Sequence, residues 1–599
     1  MNAHFFADAV AAIPGERVDG HEFIGEAFTT QACFDNAGDA TGFQPIFELI
    51  TPAGVTFASA TYLGAGVSAS PAQTCSTPAG CTFTNPDTNT TVSVANGETF
   101  RVLRYPLGSF TIDQPAQCMD LNFALGNSPT VQLGVAKNLK VTPAFSLGKD
   151  ALDNPGTDPP IFGTQQPIVV NPAVIKHEKT VSGGDIDNET ATGPNYTRTV
   201  TLTVDVATGE TVNPVTVTDV LPPQFQFVAV TGTAGCAQTA TPSTSTPGGT
   251  LTLNCGSITG VTGIDKTITF TFYIPQSDAA NSPVLNATTP NPASITNSSS
   301  ASGTYQGSPL AVVNASDSIV AKAVALQKTG TIFSDTGPTG LTPGDTVEYT
   351  LTGNVSDYFT VGNLTVTDTL GDGQTYLGSF TPTVALQSNG SAVAATDFQP
   401  SEFTVAGKDA SGRTLVTFNL SAAITRLIAG SGGQLVGDNS GGLGQGPTTL
   451  TIKLRSTVDN AYSGPVAPGT ATLSAGDTVS NNSGVTFQVS GGGTVADTSS
   501  SSLTVGTPAF TKAKYALNGN TTLPNPFLVA AGDTVTYRLT TTLPVSSVES
   551  FKLIDYLPIP LYSVPATLTD AGPCAGGGTP TSPAANAWCY TGADTISGT

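Results

Sequence analysis

Between Thr197 and Val206 the chain reads TRTVTLTVDV, between Lys266 and Ile274 KTITFTFYI, and between Thr448 and Val458 TTLTIKLRSTV. Apolar side chains fall at every second position. That period places them all on one side of an extended strand and would scatter them around a helix. The intervening residue is most often Thr, whose branched Cβ suits the solvated face of a pleated sheet. Helical periodicity is nearly absent; SAAITRLIAG, Ser421 to Gly430, is the one plausible short helix. With 65 Gly and 43 Pro punctuating the strands at turn spacing, the pattern predicts an all-β chain of antiparallel sandwiches.

The strands recur in a fixed order. VTVTDVLPP from Val215, LTVTDTL from Leu364 and KLIDYLP from Lys552 each end in Asp, any residue and Leu. A Lys precedes each Asp: Lys179 to Asp219 is 40 residues (219−179), Lys328 to Asp368 is 40 (368−328) and Lys514 to Asp555 is 41 (555−514). Lys176 and Lys512 are nearby competitors for the first and last of these positions. Between Lys and Asp lies PGDTVEYTL from Pro343 or AGDTVTYRL from Ala531, diverged to GPNYTRTVTL in the earliest copy. Downstream come ITNSSSASGTY, with Asn297, and VSNNSGVTFQV, with Asn481. This order divides the 599 residues into an atypical leader at 1–170, ending in the linker-like DNPGTDPPIFGTQQP, and three repeats at 171–322, 323–506 and 507–599. The last holds no late Asn strand, so the sequence is expected to be part of a longer polypeptide.

Composition limits what such an array can do. The net charge is −22, which disfavours nucleic acid and anionic membrane, both of which need clustered Lys and Arg. Only three His are present, His4, His21 and His177, and no two share a motif spacing. No apolar run approaches the length of a membrane span, so direct membrane insertion of this segment is not expected, and the first residues lack the basic start and apolar stretch of a signal peptide. The eight cysteines form local couples around polar loops: Cys75 with Cys81, Cys236 with Cys255, Cys574 with Cys589, leaving Cys33 and Cys118. An even count in this arrangement reads as disulfides and an oxidising compartment.

These phrases resemble the conserved Ig-like repeats of very large bacterial surface proteins and of isopeptide-forming fimbrial, adhesin-like proteins. The stretch GEAFTTQACFDNAGDATGFQPIFELITPAGVTF, from Gly25, is similar to their leader domains. The resemblance implies a tandem array of Ig-like sandwiches with an extracellular or cell-surface structural role, as stalk or adhesin. It also implies a chemistry, in which a buried Lys condenses with a late Asn while an acid between them relays the proton. Carried over by position, the candidates are Lys179, Asp219 and Asn297, then Lys328, Asp368 and Asn481, then Lys514 and Asp555. The third copy departs from the pattern, with Gly371 where the family has Pro.

No cofactor is expected, with calcium as the one weak candidate. GGDIDNET gathers oxygens from Asp185, Asp187 and Glu189, but without the spacing of an EF-hand. An enzyme is not expected, because the repeated aspartates are spread one per unit and no nucleophile or phosphate motif accompanies them. The expected partner is an unknown surface or matrix ligand, or another copy of the chain. The alternative function, a self-assembling surface-layer or matrix component bridged by calcium, would form sheets or filaments in electron microscopy where a stalk forms isolated rods.

Overall fold

The computed structural model describes residues 3–8 and 21–543, apart from 37, 39–41, 108, 112–113, 148–158, 183–186, 287–292, 337–339, 389–390, 439–443 and 466–471. Beyond 543 it describes 548, 553, 569–573 and 587–590. Among the described residues the secondary structure is strand, with one α-helix, Leu420–Leu427. The helix lies inside the SAAITRLIAG stretch extended by one residue, and Asn419 caps it by accepting from the Ala422 N–H. Among the described residues no helix is long and apolar enough to cross a membrane.

The first unit pairs two antiparallel sheets. One orders Ala3–Asp8, Ala27–Asn36, Gln117–Leu125 and Val55–Tyr62; the other runs Gln166–Ala173, Lys137–Leu147, Gly42–Thr51 and Thr99–Arg104. Between them lies an aromatic cluster of Phe34, Phe47, Tyr105, Phe110 and Phe145, with Phe34 at the centre and ring centroids 5.1 to 5.7 Å from it. The expected boundary at 170 falls inside the strand Gln166–Ala173, which pairs with Lys137–Leu147 of the first unit and, in parallel, with His21–Phe23. The Pro-rich approach read as linker thus ends in a strand, because Ile168 and Val170 point into the first core.

The second unit has a four-stranded sheet, Ile175–Ser182, Arg198–Val206, Lys266–Tyr273 and Gln226–Gly232, facing one that contains Val313–Lys322, Ala293–Ser302, Thr211–Leu221 and Gly249–Thr259. The third repeats the plan. Val324–Ser334, Thr346–Val355, Thr448–Val458 and Thr383–Ser388 face Thr414–Asn419, Thr360–Leu370, Thr478–Val489 and Thr494–Thr504. In Arg198–Val206 the alternation does what the sequence requires: Val200, Leu202 and Val204 are fully buried while Thr199, Thr201 and Thr203 are not. Each such aliphatic contributes about 1.5–3 kcal/mol on burial, so a charge at Leu202 would break this layer. Of the fourth unit, the hairpin Ala509–Leu517 with Val535–Thr542 is described.

Among the described residues three disulfides are present, Cys33–Cys118, Cys75–Cys81 and Cys236–Cys255. The first joins residues directly opposite on Ala27–Asn36 and Gln117–Leu125. The Cys574 and Cys589 side chains lie outside the described residues.

Candidate functional site

The interiors of the second and third units each contain a lysine. Lys179 lies on Ile175–Ser182 opposite Leu202, and Lys328 on Val324–Ser334 opposite Leu351. Alternation turns both inward, and both side chains are fully enclosed. The facing sheet supplies an Asp and an Asn from adjacent strands. In the third unit Asp368 stands opposite Ser483 and Leu370 opposite Asn481, which sets Asp and Asn diagonally on one face. In the second unit Asp219 stands opposite Ser299, two residues from Asn297.

Lys179 Nζ donates to Asp219 Oδ2, and Lys328 Nζ to Asp368 Oδ2, both as close ion pairs. Asp219, Asn297, Asp368 and Asn481 are each 0% exposed. The Asn carboxamides favour the ionised form of their Asp. Even so, among the described residues neither the oxygen nor the nitrogen of Asn297 or Asn481 completes a hydrogen bond of ordinary geometry. Each carboxamide thus influences its Asp without a completed hydrogen bond. Asp219 Oδ1 and Asp368 Oδ1 are unpaired as well. A buried amide without partners is costly, and two in equivalent places need a reason.

Burial also moves the protons. It lowers both lysine pKa values and raises both aspartate values, with the partner's charge opposing each shift. The shifts favour a neutral amine beside a neutral acid, the protonation states that amine attack on an amide requires. In the third unit the Lys328 ammonium sits 5.0 Å from the centroid of the Tyr349 ring, whose hydroxyl donates to Gln374 Oε1 at 3.0 Å. Val200 takes that place in the second unit, where His177, two residues before Lys179, is buried instead. Its Nδ1 lies 2.9 Å from the Thr203 carbonyl and its Nε2 2.8 Å from Ser299 Oγ. A carbonyl only accepts, so Nδ1 carries hydrogen and neutral Nε2 accepts from Ser299. Nothing in the spacing pattern marked this pair.

Three expectations need correcting or placing. Lys176 is no competitor in the second unit, since it sits 4.1 Å from the centroid of Phe23 of the leader. In the fourth unit, however, Lys512 and not Lys514 pairs with Leu539, the counterpart of Leu202 and Leu351. Lys512 Nζ also lies 4.5 Å from the Tyr537 ring, as Lys328 does from Tyr349. Lys514 stands opposite Tyr537 and approaches Phe527 instead. Asp555 lies outside the described residues. Of the calcium candidates, Glu189 Oε1 pairs with Lys322 Nζ at 2.8 Å, Asp187 Oδ2 accepts from Ser499 Oγ at 3.2 Å, and Asp185 lies outside the described residues. Among the described residues no group of three or more His, Cys, Asp or Glu could hold a metal ion.

The Asn-bearing strands are not the last of their units. Ala293–Ser302 and Thr478–Val489 each pair with a later strand, Val313–Lys322 and Thr494–Thr504, which is the last described strand of its unit. That final strand is tied back to the first by a carboxylate: Asp317 Oδ2 accepts from the Val181 N–H at 2.7 Å, and Asp497 Oδ2 from the Leu326 N–H at 2.8 Å. A cleft of about 470 Å³ beside the helix is lined by Asn363, Asn419, Ser421, Gln434 and Gln488, and no titratable group enters it.

No protein-family model matches the chain, and no curated protein is a significant match. Solved structures similar to it include the C-terminal domain of the antigen I/II polypeptide BspA of Streptococcus agalactiae, at 11% identity over 54% of this chain and 99% of that one, with a TM-score of 0.18. The full-length major pilin SpaD of Corynebacterium diphtheriae is 10% identical over 57% of this chain and 66% of that one, TM-score 0.19. A collagen-binding domain from a Staphylococcus aureus adhesin is 14% identical over 29% and 95%, TM-score 0.16. At TM-scores this low the fold stands on the sheets themselves: the chain is an all-β protein of antiparallel β-sandwich units.

Proposed function

We propose that the chain is a non-enzymatic structural segment, stalk or adhesin, of a large bacterial cell-surface or secreted protein. Its second and third units each close an internal amide, Lys179 to Asn297 and Lys328 to Asn481. The observation that carries this reading is the pair of fully buried, unpartnered carboxamides, each set beside a buried Lys and Asp.

The step balances within the protein. The neutral Lys nitrogen attacks the Asn Cγ, forming the C–N bond, while the protonated Asp polarises the carbonyl. The Asp then carries a proton from the attacking nitrogen to the amide nitrogen, the old C–N bond breaks and ammonia leaves. The product amide removes the buried lysine amine and the lone primary carboxamide together and leaves the Asp beside it as an acid. The disulfides and the low-charge, Thr-covered surface suit an oxidising exterior, and the array suits a load-bearing spacer.

Intact-mass measurement after reduction is the test. The reading expects the full-length chain to fall short of its sequence mass by one ammonia for each of the two units. A mass equal to that of the sequence would remove the cross-links and leave a spacer held by packing alone.

A further inference from the structure

The earliest copy of the Gly-Asp turn is the one that diverged. Aligned through Leu202 and Leu351, Asn195 and Tyr196 stand where the third unit has Gly344 and Asp345. In the third unit Asp345 serves its own turn: its carboxylate accepts from the Thr336 N–H and from the Thr342 N–H, each at 2.7 Å. In the fourth, Asp533 likewise accepts from the Ala530 N–H of its own turn. The second unit's residues reach outward instead.

Tyr196 inserts its hydroxyl into the third unit. The oxygen lies 2.7 Å from the Val355 carbonyl and 2.8 Å from the Thr448 carbonyl, and it accepts from the Thr448 N–H at 3.2 Å. Asn195 Nδ2 donates to Asp357 Oδ1 at 3.0 Å and to Asp438 Oδ2 at 2.8 Å, while its N–H donates to Asp357 Oδ2 at 2.9 Å. Thr192 and Ser356 share a hydroxyl bond of 2.6 Å, and the Asp357 N–H donates to the Thr192 carbonyl. Gly193 permits this approach: its φ is +124°, and a Cβ there would fall 2.2 Å from Asp357 Oδ2.

A second contact flanks the first. Glu189–Ala191 pairs in parallel with Val313–Lys322, and Lys322 bridges Glu189 of its own unit at 2.8 Å and Asp497 of the next at 2.6 Å. Asp357 and Asp438 are 0% and 1% exposed, so these bonds are made away from solvent and are far less screened than surface contacts.

We propose that residues 189–196 are a clasp that docks the second unit on the third and makes the two move as one body, and that this is the specific use of the diverged turn. In sequence, neither half of the clasp recurs at the next joint. The third unit presents Gly344 and Asp345 in place of Asn195 and Tyr196, and by the same alignment the fourth has Pro544 and Val545 in place of Ser356 and Asp357. Contacts between consecutive units of a chain are ordinarily small and leave relative motion free, so a buried polar joint of this kind restricts that motion in a way packing alone would not. The inference stands whether or not the Lys–Asn amides form.

The test is a distance distribution between spin labels carried on non-canonical residues, which leaves the cysteines intact. Labels at exposed Ala237 and Ala392 span the second joint, and labels at Ala392 and Thr511 span the third. In the native full-length chain the first pair is expected to give one narrow distribution and the second pair a broader one. Equal widths in the native chain would overturn the clasp without any variant. The combined change Asn195→Ala, Tyr196→Phe and Lys322→Met is expected to broaden the first distribution to the width of the second. A folded triple variant that keeps the native width would show that apolar packing and backbone pairing hold the joint.

Discussion

Replacing Asn481 by Ala separates a reacted carboxamide from a merely buried one. The amide between Lys328 and Asn481 closes a loop of 153 residues (481−328). In the chain-entropy treatment of a covalent cross-link, that loop restricts the unfolded chain by about 5 kcal/mol. For a unit of this size each kcal/mol moves the melting temperature by about 2–4 °C, so loss of the bond lowers the third unit's transition by about 10–20 °C. Without a bond, the wild-type carboxamide makes no hydrogen bond that Ala would forfeit, and its removal changes stability by about 1 kcal/mol or less. The Lys328–Asp368 pair remains in the variant, so no isolated buried charge complicates the comparison. Differential scanning calorimetry with intact mass on the same samples reads both quantities. The variant should gain back one ammonia relative to wild type and melt much earlier. A large fall in melting temperature with no change in the ammonia deficit would refute the reasoning, as would an unaltered melt with the deficit restored.

Other outcomes follow from single features. His177 is held below its ordinary pKa by burial, with the Thr203 carbonyl opposing and the Lys179 charge assisting. The unfolded chain therefore binds the proton more readily. Stability is full above the unfolded value near 6.5 and is lost as pH falls below it toward the depressed folded value. His177→Leu, the residue type found at Leu326 in the third unit, should flatten the pH 5–7 dependence of the second unit's melt. Reduction should destabilise the first unit more than the second, because Cys33–Cys118 closes 85 residues and Cys236–Cys255 closes 19, about 4.5 against about 3 kcal/mol in the same treatment. Calorimetry with and without reductant resolves the order. Gly260→Ala should cost several degrees in the second unit's melt, since a Cβ there would lie 2.0 Å from the Val206 carbonyl oxygen.

Strand identity was legible because burial on one face writes itself as period two, and Val200, Leu202 and Val204 carry that record without ambiguity. The positions of Lys179, Asp219, Lys328 and Asp368 were legible because equal hairpins give equal spacing. Spacing failed at Lys514 for the same reason: from Lys512 to Leu539 is 27 residues, against 23 from Lys328 to Leu351, so a longer loop shifted the count while the register held. The boundary at 170 falls inside a strand because the Pro-rich stretch that ends at Pro167 looks like linker, although the strand it runs into is buried on one side. The clasp was visible as divergence but not as docking. What Asn195 and Tyr196 touch lies 159 to 252 residues away, and no local pattern encodes so distant a partner.

The Asn-bearing strand is not the last of its unit, and this sets how the array would stretch. With the amides closed, tension entering along the Lys179 strand crosses to Asn297 and bypasses everything in between. What stays in series is the hairpin from Asn297 to Lys322, 25 residues, and in the next unit 23 from Asn481 to Thr504. Drawn straight at about 3.4 Å per residue, each holds about 80 Å of hidden slack. Such a string would yield by a fixed length per link under a sudden pull, absorb the shock as Ile319 and Ala321 leave the core, and zip shut again with the rest of each sandwich held.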